Sequence, residues 1–322
     1  MKLFEREPPK PFVQKKDKQK DTETTPSLII DKNMLIILSP AKTLTVPKSL
    51  AKSLQTSSPS MQKTMDVLLT ELRKMSASQL ASTLEVSSSI ANLNLERYKN
   101  WEKQQQYPCG FAFDGPAYKG LSCSTLSEKE LNYLQTHLRI VDPLYGLLKP
   151  LDLIRQYRLE MKTKGLKATK ETKGGLAAFW SKEMTESLIK DLDEQERTSG
   201  SSSKSNSDSK SGRFILNVAS QEYSKVLDRK LLEENNVKVF DMIIEGSTYD
   251  AKFGRGCAAR YCAKNDVKTM DDLKNFTGSD LDGSKSWKLN EKSAKTVEGK
   301  SMCFSFSKSE GGGPAPKKQK KK

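Results

Sequence analysis

The chain has 322 residues, of which 35% are hydrophobic and 30% are charged, and its formal net charge is +15. It is long enough for one large domain or two ordinary ones, and its basic charge indicates either a polyanionic partner, nucleic acid above all, or a lysine-rich surface that only keeps the protein soluble. Five cysteines without a CxxC pair argue against a disulfide framework, a single histidine excludes a site of several imidazoles, and the longest apolar run, Met34–Leu38, is too short to span a bilayer.

The positive charge is concentrated near one end of the chain. Residues 284–322 hold eleven lysines against three glutamates, and residues 1–33 hold eight basic against six acidic residues. These segments account for +8 and +2, which leaves +5 for residues 34–283. Only a modest excess is therefore left to form a basic patch on the folded part.

Apolar spacing predicts the main elements in chain order. The short apolar run at 34–38 predicts a buried strand that ends at Ser39-Pro40, and spacings of three and four predict helices over 59–75 and 76–105. Phe111–Phe113 and 118–121 are typical of a strand and turn. Ser127 and Glu130 form a capping box, so a helix is predicted over 127–138.

The second half of the chain continues this mixture. A helix is predicted over 177–192, strands over 214–218 and 237–244, and helices over 257–265 and 270–276. The segments SWKLN and MCFSFSK predict one edge strand. Helices and strands do not alternate regularly, which favours a single α+β domain over 34–308, with a mixed sheet surrounded by helices. Residues 1–33 are predicted to be a disordered arm, 198–212 a flexible serine-rich insertion and 309–322 a disordered basic tail.

The segment 138–161 combines apolar periodicity with a dense set of charges. Its halves, 138–147 and 149–154, have the outline of a helix–hairpin–helix around Tyr145-Gly146, in which backbone N–H groups and Lys149 would meet a phosphate. An ordinary helical corner is the alternative. If the chain is extended after Tyr157, Arg158 and Glu160 share a face, either as a structural ion pair or as an anion-binding pair.

Three further segments carry polar groups at positions suited to a site. Lys42 follows a strand end, where it would hold a phosphate, act as a nucleophile or remain a solvated loop residue. The segment AKFGRG, 251–256, places two cations among glycines just before the predicted helix at 257, which favours anions. Asn217, Ser220 and Tyr223 form a polar face after a strand, or only cap the turn there.

Six motifs occur in an order that resembles the YaaA peroxide-stress protein family. They are SPAKTL (39–44), FDGPAYKGL (113–121), the segment 138–161, FW (179–180), LNVASQEYSK (216–225) and AKFGRG (251–256). One departure is Asp142-Pro143, where the family has Ser-Gly before Leu-Tyr-Gly. The resemblance implies an α+β domain with a helix–hairpin–helix-like element and a basic cleft, and a DNA-binding role in oxidative stress that protects DNA and limits iron-driven damage. By motif matching, it implies roles for Lys42, Tyr118, Arg158, Glu160, Asn217, Ser220, Lys252 and Arg255.

The leading hypothesis is therefore a DNA-binding stress protein, cytoplasmic or nuclear, that binds duplex or unusual DNA structures without a metal or cofactor. Its predicted nucleic-acid-binding residues are Lys42, Tyr118, Lys149, Arg158, Asn217, Ser220, Tyr223, Lys252 and Arg255. The tail would add affinity or bind an import receptor through Lys317, Lys318, Lys320, Lys321 and Lys322. The alternative is an enzyme that acts on damaged or flipped bases, with Lys42 as a Schiff-base nucleophile or Glu160 as the group that activates water.

Overall fold

A computed structural model describes residues 33–51, 54–198, 212–278, 281, 286–290, 295–297 and 301–309. Apart from their boundary residues, the predicted arm, insertion and basic tail lie outside these ranges. Their flexibility and the role of the tail lysines remain predictions.

The largest sheet has five neighbouring strands that run in the same direction. Its order is β10-β12-β9-β8-β1-β5-β6, with β11 also paired to β12, and β12, β9, β8, β1 and β5 are mutually parallel. The strands of the described part are β1 (Asn33–Leu38), β2 (Thr43–Leu44), β3 (Tyr107–Pro108), β4 (Phe113–Asp114), β5 (Leu138–Asp142), β6 (Gly146–Leu148), β7 (Leu153–Ile154), β8 (Arg213–Asn217), β9 (Val237–Ile244), β10 (Ser286–Leu289), β11 (Lys295–Val297) and β12 (Ser301–Ser309).

Helices surround this sheet, which confirms the predicted mixed fold. They are α1 (Gln62–Lys74), α2 (Ala77–Leu84), α3 (Ser88–Lys99), α4 (Cys109–Ala112), α5 (Pro116–Leu121), α6 (Glu128–His137), α7 (Leu176–Thr198), α8 (Gln221–Ser224), α9 (Arg229–Glu234) and α10 (Thr248–Lys264). Short 3-10 turns lie at Trp101–Lys103, Cys123–Thr125, Glu171–Gly174 and Asp271–Asn275. No helix in these described ranges is both long and apolar enough to cross a bilayer.

The central strands are buried because helices cover the faces of a parallel sheet. Every residue of β5 and β8 is buried, and so is β1 after its first residue. This explains why apolar residues follow one another in β1 and in the middle of β8, without alternation. The β1 and β8 predictions are confirmed for this reason.

Capping residues set the ends of several helices. Ser127 and Glu130 form the predicted capping box at the start of α6. The helix predicted over 76–105 is divided, because Glu85 adopts a left-handed conformation and Ser87 caps a new helix, α3. On α1, Met65, Leu68, Leu69 and Leu72 face the core at the predicted spacing, and each buried leucine contributes about 1.5–3 kcal/mol.

The helix–hairpin–helix predicted over 138–154 is not confirmed, because these residues form strands. β5 and β6 are an antiparallel pair joined by a tight turn, with Asp142 opposite Gly146. Gly146 has φ 82°, and the Asp142 carboxylate accepts hydrogen bonds from the N–H groups of Leu144 and Tyr145. The expected phosphate-binding turn is thus a buried β-turn.

Two smaller predictions are also wrong. Residues 118–121 belong to α5 and do not form a strand and turn. α10 begins at Thr248, so AKFGRG lies inside a helix and not before one. At the C-terminal side, the predicted edge strand is present as β10, but β12 lies between β10 and β9.

Candidate functional site

The candidate site lies where the loops after β1 and β8 meet. These strands are parallel neighbours, with Ile37 opposite Asn217, so both end at the carboxyl edge of the sheet. The chain leaves β1 toward β5 on one side and leaves β8 toward β9 on the other. In open α/β sheets such a reversal creates a crevice, and it is the usual place for ligands.

Two cations share one buried carboxylate in this region. Lys42 Nζ lies 2.5 Å from Oε2 of Glu160, and the Arg158 guanidinium lies 2.7 Å from Oε1. Arg158 also donates to the backbone carbonyl of Lys42, at 3.1 Å. The structure therefore brings together three of the residues that the sequence predicted from separate motifs.

Exposure differs sharply within this cation pair and its carboxylate. The side chain of Lys42 is 54% exposed, that of Arg158 is 20% exposed and that of Glu160 is 6% exposed. Burial by itself raises the pKa of Glu160, but the hydrogen bond and charge of Lys42 and the charge of Arg158 outweigh it and lower the pKa. Glu160 is consequently ionised at neutral pH, and the three side chains carry a net charge of one positive unit.

The backbone around Arg158 forms neither a helix nor a strand and is held by several hydrogen bonds. The hydroxyl of Tyr98 donates to the carbonyl of Arg158 at 2.6 Å, and the Glu160 N–H donates to Thr163 Oγ1 at 3.3 Å. The hydroxyl of Tyr157 donates to the buried carboxylate of Asp142. Arg158 and Glu160 contact each other and both contact Lys42, so their side chains lie on the same side of this segment.

A second set of contacts ties the loop after β1 to its neighbours. The Ser220 N–H donates to Ser39 Oγ at 2.9 Å, and the hydroxyl of Tyr118 donates to the Ser39 carbonyl at 3.1 Å. Tyr118 is only 6% exposed, and burial raises the pKa of its hydroxyl. Tyr118 therefore supports the SPAKTL loop and is too buried to stack on a base.

The predicted polar face after β8 is not formed. Asn217 is buried, donates to Asp241 Oδ1 at 2.6 Å and accepts from the Ala219 N–H at 3.0 Å. Tyr223 is also buried, and burial raises the pKa of its hydroxyl. Asn217 and Tyr223 shape the loop, so Ser220 alone of the three stays at the site through its contact with Ser39.

The remaining predicted cations are spread more widely. Lys149 follows β6, which runs antiparallel to β5, so the chain there heads toward the opposite edge of the sheet from Lys42. Lys252 is exposed on α10, and Arg255 is half-buried on the same helix. The structure does not bring Lys149 into the group around Glu160.

The glycines of two motifs serve helix packing. A Cβ added at Gly256 would overlap the carbonyl oxygen of Ala117 in α5, and one at Gly120 would overlap the carbonyl of Phe253 in α10. These glycines let the backbones of α5 and α10 cross in direct contact. The close backbone approach predicted for a phosphate at Gly256 is thus made by another helix.

Sequence reasoning missed the acidic residues that border the site. Lys162 pairs with Glu85 at 3.0 Å, and its N–H donates to Glu222 at 3.1 Å. Both acids are distant from Lys162 in the chain, so no local spacing in the sequence indicates them. These acids reduce the positive potential around Lys42 and Arg158.

The donor set of the site does not resemble a metal centre. Across the described ranges, no three His, Cys, Asp or Glu side chains lie close enough together to hold an ion. Glu160 is engaged by Lys42 and Arg158 instead.

Comparison with known proteins identifies the family. Residues 34–286 match the family model described as peroxide stress protein YaaA. A UPF0246 protein of Polynucleobacter necessarius is 37% identical over 257 residues, which covers 77% of this chain and 92% of the relative. UPF0246 proteins of Polynucleobacter asymbioticus and Janthinobacterium sp. are each 35% identical, over 82% and 78% of this chain and 97% and 92% of the relative. The motifs, the matched region and these relatives agree: the chain belongs to the YaaA family of peroxide stress proteins.

Proposed function

We propose that this protein binds DNA during peroxide stress, with Lys42 and Arg158 contacting backbone phosphates and Glu160 holding both cations in place. Membership of the family supports a role in peroxide stress. The observation that carries the DNA-binding proposal is the pair of cations on one carboxylate at the carboxyl edge of the sheet.

The geometry suits phosphate binding for an electrostatic reason. The Glu160 N–H donates to Thr163 Oγ1, which helps to fix this residue, and the buried carboxylate of Glu160 orients the guanidinium of Arg158. Lys42 remains more than half exposed, at 54%, and is accessible to a ligand. Contacts of this kind position a protein on the DNA backbone and are independent of base sequence.

One distance favours an enzymatic alternative. Lys42 Nζ lies 2.5 Å from Glu160 Oε2, close enough for the carboxylate to accept a proton from the amine. The neutral amine would then attack the aldehyde carbon of an abasic site, and loss of water would give a Schiff base. The lowered pKa of Glu160 makes it a weak base, which favours binding over this reaction.

Binding of the full chain to duplex, bubble, junction and abasic DNA, each at two salt concentrations, tests the proposal. We expect affinity to fall steeply with salt, and Lys42→Ala and Arg158→Ala each to weaken binding and reduce the salt slope by about 1. Lys230→Ala is the matched control, because Lys230 is 85% exposed in a surface pair with Glu234. Binding that is insensitive to salt, or equal loss in the control, would contradict the proposal.

The same samples separate binding from catalysis. Borohydride added to the abasic substrate would trap a Schiff base as a covalent adduct that depends on Lys42. Salt-sensitive binding without an adduct or strand breakage supports a binding protein, whereas an adduct lost in Lys42→Ala establishes the enzyme.

A further inference from the structure

Arg255 differs from every other arginine in the described part of the chain. Each of the others makes a hydrogen bond, an ion pair or, in Arg155, a contact with the ring of Trp101. Arg255 is half-buried, and its Nε is buried without an acceptor among the described residues, as is the Nε of Arg155, Arg158 and Arg213. In those three arginines the guanidinium has another contact, whereas that of Arg255 has none within the described part of the chain. Burial lowers the pKa of its guanidinium.

Such an arrangement is unfavourable in the unliganded protein. A guanidinium stays charged under all ordinary conditions, so it cannot avoid the cost of burial by losing a proton. Buried charges are normally paired, because desolvation is costly when no acceptor replaces water. An anionic ligand would supply the missing acceptor, and a planar guanidinium suits a phosphate especially well.

The position of Arg255 connects it with the proposed DNA site. Its neighbour Gly256 packs against Ala117 and Leu121 of α5. The same helix contacts the SPAKTL loop, because the Tyr118 hydroxyl donates to the Ser39 carbonyl at 3.1 Å. α5 has six residues and is therefore about 9 Å long, so the helix of Arg255 and the loop of Lys42 meet the same short element.

The burial of Arg255 restricts which phosphate it would reach. Internal phosphates of a duplex lie on a convex surface and suit exposed cations such as Lys42 and Lys252. A terminal phosphate is bonded to the strand on one side only, so it can enter a recess, and its second ionisation gives it a larger charge.

We infer that Arg255 binds the terminal phosphate of a nucleic-acid strand, while the exposed cations contact the backbone. This inference rests on the proposed function and adds a ligand class to the same region. Arg255 is then the specificity-determining cation, and Lys252, three residues earlier on the same helix, is a non-selective one.

Two measurements on the full chain test the inference. The first compares affinity for a 5′-phosphorylated and a 5′-hydroxyl single strand of the same sequence. We expect wild type to prefer the phosphorylated strand by about 10-fold, the effect of one charge-assisted contact. Arg255→Met should abolish this preference, and Lys252→Met should weaken binding of both strands equally.

The second measurement is the melting temperature without ligand. Because Arg255→Met replaces an unpaired half-buried charge with an apolar chain of similar length, Tm should rise by roughly 2–4 °C. Lys252→Met should leave Tm unchanged. A lower Tm in Arg255→Met would show a structural role for the guanidinium. Arg255→Lys keeps the charge and lacks the planar guanidinium, so its affinity for the two strands then shows whether the preference for the 5′-phosphate persists with the charge alone.

The outcomes distinguish this inference from the proposed function. Equal binding of both strands by wild type overturns the terminal-phosphate inference and leaves DNA binding standing. If neither single strand binds, the terminal-phosphate inference fails, and the duplex, bubble and junction measurements decide the proposed function by themselves. Inorganic phosphate is then the second probe. A rise in Tm for wild type that is absent in Arg255→Met would show that Arg255 binds a small anion, and no rise would exclude an anion-binding site there.

Discussion

The two edges of the central sheet hold similar charges but use them differently. At the amino edge, Arg139 and Arg213 are 4% and 2% exposed, and their guanidinium groups lie 2.6 and 2.8 Å from Asp191 and Asp193 of α7. Each cation has its own carboxylate. At the carboxyl edge, two cations share Glu160.

This difference separates charges that hold the fold together from charges that remain available. Arg139 also donates to the carbonyls of Gln135 and Leu138, so its hydrogen-bonding capacity is used within the protein. Lys42 makes one ion pair and is 54% exposed. Burial within dedicated ion pairs therefore marks the amino edge as structural, whereas the exposure of Lys42 supports the proposal that the carboxyl edge meets a ligand.

The largest expected effect comes from breaking a pair at the amino edge. Arg139→Ala leaves the carboxylate of Asp191 without its buried partner and should lower the free energy of unfolding by roughly 3 kcal/mol. Urea denaturation measures this change, and DNA affinity per folded molecule should stay the same. A loss of stability below 1 kcal/mol would show that the amino-edge pair is no stronger than a surface pair.

A pH titration of stability tests a second buried group at the amino edge, His137. Burial, followed by the charge of Arg139, lowers the pKa of His137 from 6.5 to about 4. The unfolded chain therefore binds more protons between these values, so this residue's contribution to stability is present above pH 6.5 and is lost as pH falls toward 4. We expect a loss of about 3 kcal/mol across this window.

His137→Phe is the matched variant for that titration, because it keeps a ring against Tyr133 and cannot be protonated. The difference between the two proteins isolates His137 from Asp142, whose pKa burial raises to about 6 and whose effect on stability has the opposite sign. Identical pH slopes for both proteins would show that His137 does not titrate in this window.

The smallest expected effect concerns the shared carboxylate. Glu160→Gln removes a negative charge beside the proposed phosphate position but keeps hydrogen-bond acceptance toward Arg158. Affinity for DNA should rise by roughly 2–5-fold, with a steeper salt dependence. Filter binding or fluorescence anisotropy at two salt concentrations checks this. A weaker complex would show that Glu160 matters more for orienting Lys42 and Arg158 than for limiting their charge.

The sequence predicted elements best where one local signal was decisive. β1, β8 and the capped start of α6 were correct, because a short branched apolar run and a capping box each favour one structure. Residues 138–148 were misassigned because periodicity alone cannot distinguish short buried strands from a buried helix. The pairing of β5 with β1, about a hundred residues earlier, decides the outcome there.

The candidate site shows the same limit. Lys42 was predicted from its position after a strand, and all three of Lys42, Arg158 and Glu160 from the family's motifs; the structure places them together. Tyr118 and Asn217 looked equally suitable, but their partners, Ser39 and Asp241, are distant in the chain. Whether a polar side chain makes its hydrogen bonds within the fold or stays available to a ligand depends on such long-range contacts, and no local sequence pattern reveals them.

The central place of β1 has a consequence for synthesis of the protein on the ribosome. β1 pairs with β5 on one side and β8 on the other, and β8 ends at Asn217. At typical elongation rates, the roughly 180 residues that separate β1 from the end of β8 take on the order of 10–40 s to make. Throughout that time, the side of β1 that pairs with β8 lacks its partner, so we expect the nascent chain to depend on chaperones before its sheet can form.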